Sequence, residues 1–332
     1  MFASGLYHAG SGIILSMRES LIIYNPTAGR FSARPFMKSL VRALANAGWR
    51  AEAVATQSGK HAVELAKQAA GQVDVVFAIG GDGTIGQIAS GLVDSETALG
   101  VLPAGTQNVW GKELNLPVFS WVRWSALREN ALLLADSPVC KIDVGLCNNM
   151  PFLMWAGMGL DAMAVKVLET RVRLEKFFAV PEYTAVTLWQ ASQWEGLRLR
   201  IWANGEKVEG QYILGVANNI RHYMGGLSNL SPDAFVDDGL MDFWLLAGKN
   251  LGDALRHAYD LWQGRHLESD AARRIPFRSL RVEADLPFMV QFDGDPAPSA
   301  QKVEIIVKPR ALKVLMPRHA LHLLQNHSSR QL

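Results

Sequence analysis

Across residues 21–102, short unbroken apolar runs alternate with segments whose apolar positions recur every three or four residues. The runs are LIIYN, AEAVAT, VDVVFAIG and ALGVLP; the segments between them, 35–47, 61–70 and a stretch from Thr84, read as helices. Continuous apolar strands spaced by helices predict a parallel sheet covered on both faces. Three of these strands run into loops rich in Gly, Pro, Asn or Thr: Asn25-Pro26-Thr27-Ala28-Gly29, Gly80 to Thr84, and Pro103-Ala104-Gly105-Thr106-Gln107-Asn108. Ligands of such sheets bind at the carboxyl ends of strands, so three loops on one edge predict a site.

A helix at 121–135 closes this half, and the pattern then changes. KIDVGLC, FLMWAG, LRLRIWA, QYILGVA, LMDFWLLA, SLRVEA, FMVQFDG, KVEIIVK and ALKVLMP read as strands, with helical stretches at 161–169, 183–193 and 251–262. The chain is therefore expected to be α/β, with a parallel α/β domain at 17–137 and a mostly antiparallel β domain at 138–308. The segment 309–320 is expected to return to the first domain, and 1–16 and 321–332 read as loose termini. His319, His322 and His327 fit a solvated tail better than a metal site.

Composition narrows the function. With 33 basic against 31 acidic residues the net charge is +2, which lacks the basic stripe of a nucleic-acid binder. Cys140 and Cys147 make neither a disulfide framework nor a paired-spacing zinc site, which suits a reducing cytoplasm. No run of about 20 apolar residues is present, so membrane contact is expected to be peripheral.

The turn after VDVVFAIG carries the chemistry. Gly80, Gly81 and Gly83 allow positive φ and close backbone approach, and the helix that follows turns unpaired N–H groups and its positive dipole end toward the loop. Phosphate is the expected guest, against a bare reading as a tight strand-to-helix connection. Asp82 would repel phosphate unless a cation mediates, which points to Mg²⁺ bridging to ATP. The spacing Gly81-x-Gly83-x-x-Gly86 also satisfies the dinucleotide fingerprint, but the next strand ends in Pro103 without the acid that would hold a ribose. A P-loop fails because no Lys-Ser or Lys-Thr pair closes the turn.

With these motifs in order, followed by Asn218, Gly225-Gly226, Ser231-Pro232, Asp237-Asp238-Gly239 and Asp293-Gly294-Asp295, the chain resembles the diacylglycerol kinase catalytic-domain family. That family includes bacterial lipid kinases and sphingosine kinases and is distantly akin to NAD kinases. The resemblance implies an NAD kinase-like nucleotide domain and a β-sandwich lipid domain with the site in the cleft between them. It implies that Asn25, Thr27, Gly29, Thr56, Gly80, Gly81, Gly83, Thr84, Gly105, Thr106 and Asn108 hold ATP. Asp293 matches the catalytic base, Asp295 stands where glutamate is usual, and Asp82 shares the catalytic importance. Asp237 and Asp238 match acidic positions linked to a structural Mg²⁺, against a reading as a solvated Asp-Asp-Gly turn.

Three positions depart from the family pattern. Gly86 and Gln87 replace the usual Asn and Glu, and Val109 replaces an Asp; Glu113, one helical turn on, is a candidate substitute carboxylate. Arg30 and Lys60 are candidates for steering phosphates. Arg171, Arg173 and Lys176 beside Phe177, Phe178, Tyr183 and Trp189 suit anionic headgroups. The implied activity is Mg²⁺- and ATP-dependent phosphorylation of a lipid hydroxyl by a cytoplasmic protein that meets its lipid at a membrane surface, with the oligomeric state open and a dimer among the options. The alternatives are a catalytically weak lipid- or nucleotide-binding module and an NAD kinase-like enzyme.

Overall fold

The computed structural model describes residues 18–29, 31–105, 107–120, 122–160, 162 and 196–325. Thr106 and Arg30 lie outside the described residues. So do the proposed helices at 161–169, apart from residue 162, and at 183–193, together with the basic-aromatic stretch from Arg171 to Trp189.

The first half alternates strands and helices: β1 (Arg18–Tyr24), α1 (Met37–Asn46), β2 (Trp49–Ala55), α2 (Gly59–Ala69), β3 (Val75–Gly80), α3 (Asp82–Leu92) and β4 (Ala98–Pro103). The short α4 (Val109–Glu113) and then α5 (Ala126–Ala135) follow. The four strands are parallel in the order β2-β1-β3-β4. Every residue of β3 and β4 is buried, as a strand covered on both faces requires. Ile85, Ile88 and Leu92 form the buried stripe of α3. The chain reverses its direction of winding between β1 and β3, which leaves a crevice at their carboxyl ends.

The second half is built from β5 (Val139–Cys147), β6 (Met150–Phe152), β7 (Trp155–Gly159), β8 (Leu197–Ala203), β9 (Glu206–Asn218), the pair β10 (His222–Tyr223) and β11 (Ser228–Asn229), and β12 (Met241–Ala247). After α6 (Leu251–Gln263) come β13 (Ala272–Phe277), β14 (Ser279–Phe292) and β15 (Asp295–Leu315). These strands pair antiparallel. Three two-residue turns fix their register, Asn148-Asn149, Asn204-Gly205 and Asp293-Gly294, each with positive φ at both positions, the geometry that matches strand twist in a hairpin.

Alternation along the strands divides their side chains between two cores. Ala156, Met158, Phe243 and Leu245 enter the core of the β domain, while Trp155, Val216, Trp244 and Leu246 face outward into the larger core that also holds β1, β3 and β4. The last strand joins the halves: Val314 of β15 pairs parallel with Leu99 of β4, and Leu312 to Leu315 pair with β5. The chain does not loosen at 321. Leu323 and Leu324 are buried, the Val236 N–H donates to the Leu323 carbonyl at 3.1 Å, and the His319 ring reaches the Leu114 carbonyl at 2.9 Å. Buried Ala320, Leu323 and Leu324 of RHALHLL are what dock this end of the chain. No helix among the described residues is long and apolar enough to cross a membrane.

Candidate active site

The three predicted loops meet. Gly29 has φ +66°, and a Cβ built on it would stand 2.3 Å from the Ala104 carbonyl oxygen, while a Cβ on Gly105 would stand 2.4 Å from Cα of Gly81. The loops therefore touch through bare backbone, and side chains there would force them apart. Gly80, Gly81 and Gly83 are absent from the positive-φ positions. The expectation of left-handed backbone is corrected: Gly80 and Gly83 are needed for close contact with Thr84 and Asp295, while a Cβ on Gly81 would meet Gly105 Cα at an ordinary 3.5 Å.

Side chains brace the same edge. Asn25 Nδ2 donates to Thr84 Oγ1 at 3.1 Å, and Asn25 Oδ1 accepts from the Thr27 N–H and hydroxyl at 3.0 and 2.9 Å. Asn108, fully buried with φ 51°, accepts from the Gly105 N–H at 2.9 Å and donates back to its carbonyl. Thr56 is buried at the end of β2, and its N–H donates to the Tyr24 carbonyl at 2.8 Å. Thus Asn25, Asn108 and Thr84 shape the loops. The N-cap of α3, Gly81, offers no side-chain cap, so the first N–H groups of an eleven-residue helix open onto the crevice. Lys60 is an exposed residue of α2.

Asp82, in the first turn of α3, is half-buried, and its Oδ1 accepts from the Trp110 N–H at 3.4 Å. Burial pushes its carboxyl up to about 6, partly countered by N–H groups at the start of α4 and by Lys112. Glu113 is not available as a substitute acid. Its buried carboxylate accepts from the N–H groups of Arg221 and His222 at 3.2 and 3.1 Å and meets His222 Nδ1 at 2.7 Å, so it ties α4 to β10.

Asp293 occupies the turn between β14 and β15, where Phe292 pairs with Asp295. It is 4% exposed. The Leu153 N–H donates to its Oδ2 at 2.7 Å, and the N–H groups of Met154 and Trp155 donate to its Oδ1 at 2.7 and 3.1 Å. Burial pushes the carboxyl up to about 7, against the lowering effect of those three N–H groups, and the charge of Asp82 adds a further rise. From the other side Asn219, which motif reading passed over, donates its side-chain amide to the Leu153 carbonyl at 2.8 Å, while its own N–H donates to the Met154 carbonyl at 2.8 Å. The segment 153–155 is clamped by Asp293 on its N–H groups and by Asn219 on its carbonyls. The only sequence signal for Asn219 is the Asn-Asn pair at the end of β9.

The departures Gly86 and Gln87 fall at the contact between the domains. Gly83 and Gly86 sit three residues apart on one face of α3. A Cβ on Gly83 would lie 2.6 Å from Asp295 Oδ1, and one on Gly86 would lie 2.6 Å from Asp293 Oδ2. The hairpin's two carboxylates rest in the groove these glycines leave. Gln87 Nε2 donates to Asp295 Oδ2 at 2.5 Å, so the amide that replaces the usual acid binds the hairpin directly. A cavity of about 240 Å³ lies here, lined by Gly83, Gly86, Gln87, Asp293 and Asp295 among others.

Asp237 and Asp238 stand elsewhere, at the bend of β15. Asp237 Oδ1 accepts from the Gln325 N–H at 2.7 Å, Asp238 Oδ1 accepts from Leu240 at 2.9 Å, and neighbouring Asp143 accepts from Gly239 and Arg310 at 2.6 and 2.7 Å. Their oxygens hold backbone. Among the described residues no group of three or more His, Cys, Asp or Glu side chains is arranged to hold a metal; Asp82 and the Asp237-Asp238 pair do not converge.

A second cavity, about 330 Å³ and mostly apolar, opens between α6 and β9. Leu214, Leu246, Ala258 and Leu261 line it, together with the exposed residues Gln107 and Gly294. It therefore reaches the residue after Asp293. A larger cleft, about 720 Å³, sits at the opposite edge of the parallel sheet among Arg18, Asp74 and Lys313, away from the glycine loops.

Residues 19–147 match the model of the diacylglycerol kinase catalytic domain, and residues 155–316 match that of the YegS C-terminal NAD kinase beta sandwich-like domain. Residues 19–147 are thus a diacylglycerol kinase catalytic domain. It is 26% identical over 286 residues to a diacylglycerol kinase of Bacillus subtilis (strain 168), covering 84% of this chain and 90% of the relative. It is 27% identical over 281 residues to one from Staphylococcus haemolyticus (strain JCSC1435), covering 82% and 81%. The fold is shared with the crystal structure of a diacylglycerol kinase from Bacillus anthracis strain Sterne, at TM-score 0.69, 19% identity and coverage of 92% and 99%. It is shared more distantly with an NAD kinase from Archaeoglobus fulgidus in complex with ATP, at TM-score 0.52 and 12% identity, covering 95% and 99%. The family's two-domain architecture, an α/β domain with a β sandwich-like partner, is thus the one expected from the strand pattern.

Proposed function

We propose that this chain is an ATP-dependent lipid kinase that transfers the γ-phosphate of ATP to a hydroxyl of a diacylglycerol-like lipid. One observation carries the reading: the apolar cavity reaches Gly294, the residue after Asp293, and Asp293 shares a second cavity with Gly83 in the first turn of α3, so a lipid hydroxyl beside Gly294 would lie next to both the base and the helix start. The loops around Gly29, Gly81 and Gly105 take the nucleotide, and the N–H groups at the start of α3 take its phosphates. Mg²⁺ arrives with ATP as part of the substrate and neutralises phosphate charge; Asp82, beside the same helix start, is the carboxylate that would face it.

Asp293 acts as general base. Its carboxyl is poised at about 7, close to the pH at which a base can both be ionised and accept a proton well. The lipid oxygen passes its proton to the Asp293 carboxylate as it bonds to the γ-phosphorus, the bond from that phosphorus to the bridging oxygen breaks, and ADP leaves. The N–H groups of Leu153, Met154 and Trp155 hold the carboxylate in place throughout.

A second reading, a module that binds nucleotide or lipid without turnover, is favoured by the near-complete burial of Asp293 and the three N–H groups it already accepts. Purified protein with γ-labelled ATP, Mg²⁺ and micelles of diacylglycerol, sphingoid base, phosphatidylglycerol or monoacylglycerol separates the two. A labelled lipid is expected; nucleotide binding with no label in any lipid selects the module. Label appearing only when NAD is supplied selects an NAD kinase-like activity instead.

A further inference from the structure

Helix α6 shows two faces of opposite kind from one amphipathic sequence. Its inner side, Ala254, His257, Ala258 and Leu261, lines the apolar cavity. Its outer side carries Leu255, Tyr259 and Trp262, which are 64%, 49% and 63% exposed. These sit at i, i+4 and i+7, one stripe of a helix, and a soluble surface gains nothing by presenting Leu, Tyr and Trp together. The stripe continues past the helix: Leu267 and Leu227 are 51% and 69% exposed, and Ser228, next to Leu227, donates to the Leu261 carbonyl at 2.8 Å.

The exposed charges of α6 and of the residue after its C-cap are basic. Arg256 and Arg265 are exposed, and the Arg265 guanidinium lies 5.8 Å from the centre of the Tyr259 ring. The two acids of the helix, Asp253 and Asp260, are half-buried, and Asp253 accepts from the Lys249 N–H at 3.0 Å to cap the helix start. No exposed carboxylate interrupts the stripe before Glu268.

We propose that the outer face of α6 docks on the surface of an anionic lipid bilayer, with Leu255, Tyr259 and Trp262 entering the headgroup boundary and Arg256 and Arg265 meeting lipid phosphates. Aromatic rings with one wet edge and arginines beside apolar side chains are the composition that settles at such a boundary. Met224, 39% exposed and three residues before Leu227 in the chain, also lines the cavity that reaches Gly294. The proposal rests on the lipid-kinase reading, but its test does not need turnover.

The test is sedimentation of the full chain, without nucleotide, with vesicles of phosphatidylcholine alone or with a minority of phosphatidylglycerol. Wild type is expected to bind the anionic vesicles more tightly. The double variant Leu255→Glu and Trp262→Glu is expected to lose roughly 10- to 100-fold in that affinity with an unchanged circular-dichroism melt. Arg256→Gln with Arg265→Gln is expected to bring anionic binding down to the phosphatidylcholine level. Equal binding by wild type and the glutamate variant, or no vesicle binding by wild type, overturns the proposal. So does a wild-type dimer that the glutamates split, which would make this face a contact between copies. If lipid is never labelled yet vesicles bind as expected, the kinase reading fails and the docking face stands.

Discussion

The two halves of the site are built by opposite means. The proposed nucleotide edge is backbone against backbone: Gly29 and Gly105 let three loops touch, and the proposed binding groups are N–H donors at the start of α3. The proposed acceptor side is one buried carboxylate held by the N–H groups of a segment about 140 residues away in the chain. A site of the first kind tolerates changes that spare glycine and tightens around any phosphate chain. A site of the second kind depends on single atoms, so it fails at single substitutions and responds to pH.

The comparison breaks most sharply at Asp293. Asp293→Asn keeps calorimetric ATP affinity and lowers turnover by about 10²-fold or more, whereas unchanged turnover would remove Asp293 from the mechanism. Acid produces the next effect. A base must be ionised to work, so the rate of wild type should fall about tenfold per pH unit well below the Asp293 midpoint, which stands at about 7; a flat profile from 5 to 8, on the order of three units of titration, would contradict this. The stability effect of the same group has the opposite sense. Its folded value is raised, so the folded state gains from protonation: the gain is full below the ordinary carboxylate range and is lost as pH rises through about 7.

Smaller effects test how the halves meet. Gly86→Asn installs the residue common in the family, yet its Cβ would fall 2.6 Å from Asp293 Oδ2. The variant is expected to lose about 1–3 kcal/mol, read as a lower urea midpoint, and an unaltered midpoint would show that the hairpin is not seated there. Gln87→Glu replaces an amide donor to Asp295 with a second carboxylate. A loss of about 1 kcal/mol without divalent cation is expected, and no change would mean the Gln87 bond contributes nothing to the docking of the hairpin.

Much of this was legible because it is local. Buried parallel strands are unbroken apolar runs, loops at their carboxyl ends announce themselves by glycine, and Asp293-Gly294 is a two-residue turn wherever strands flank it. Breakers misled where a strand tolerates them. Pro287 divides SLRVEA from FMVQFDG, yet β14 runs through both with a shift in register between Glu283 and Phe288. Pro309 likewise divides KVEIIVK from ALKVLMP, and β15 passes it with a bend in which Arg310 takes φ 52°. The rest depends on contacts far apart in the chain. Gln87 reaches Asp295 across 208 residues, and Gly86 reads as a missing amide until Asp293 is seen against it. Glu113 lies on the expected face of α4, but its carboxylate answers to Arg221 and His222, which no helical spacing foretells.

The division of labour itself can be measured with Ala258→Trp, a ring placed in the apolar cavity and away from the glycine loops. Transfer of labelled phosphate from ATP to diacylglycerol by this variant should fall by about 10²-fold while calorimetric affinity for Mg·ATP stays at the wild-type value. Transfer at the wild-type rate through a filled cavity would contradict the placement of the acceptor, and a parallel loss of ATP affinity would show that the two halves are not separate sites.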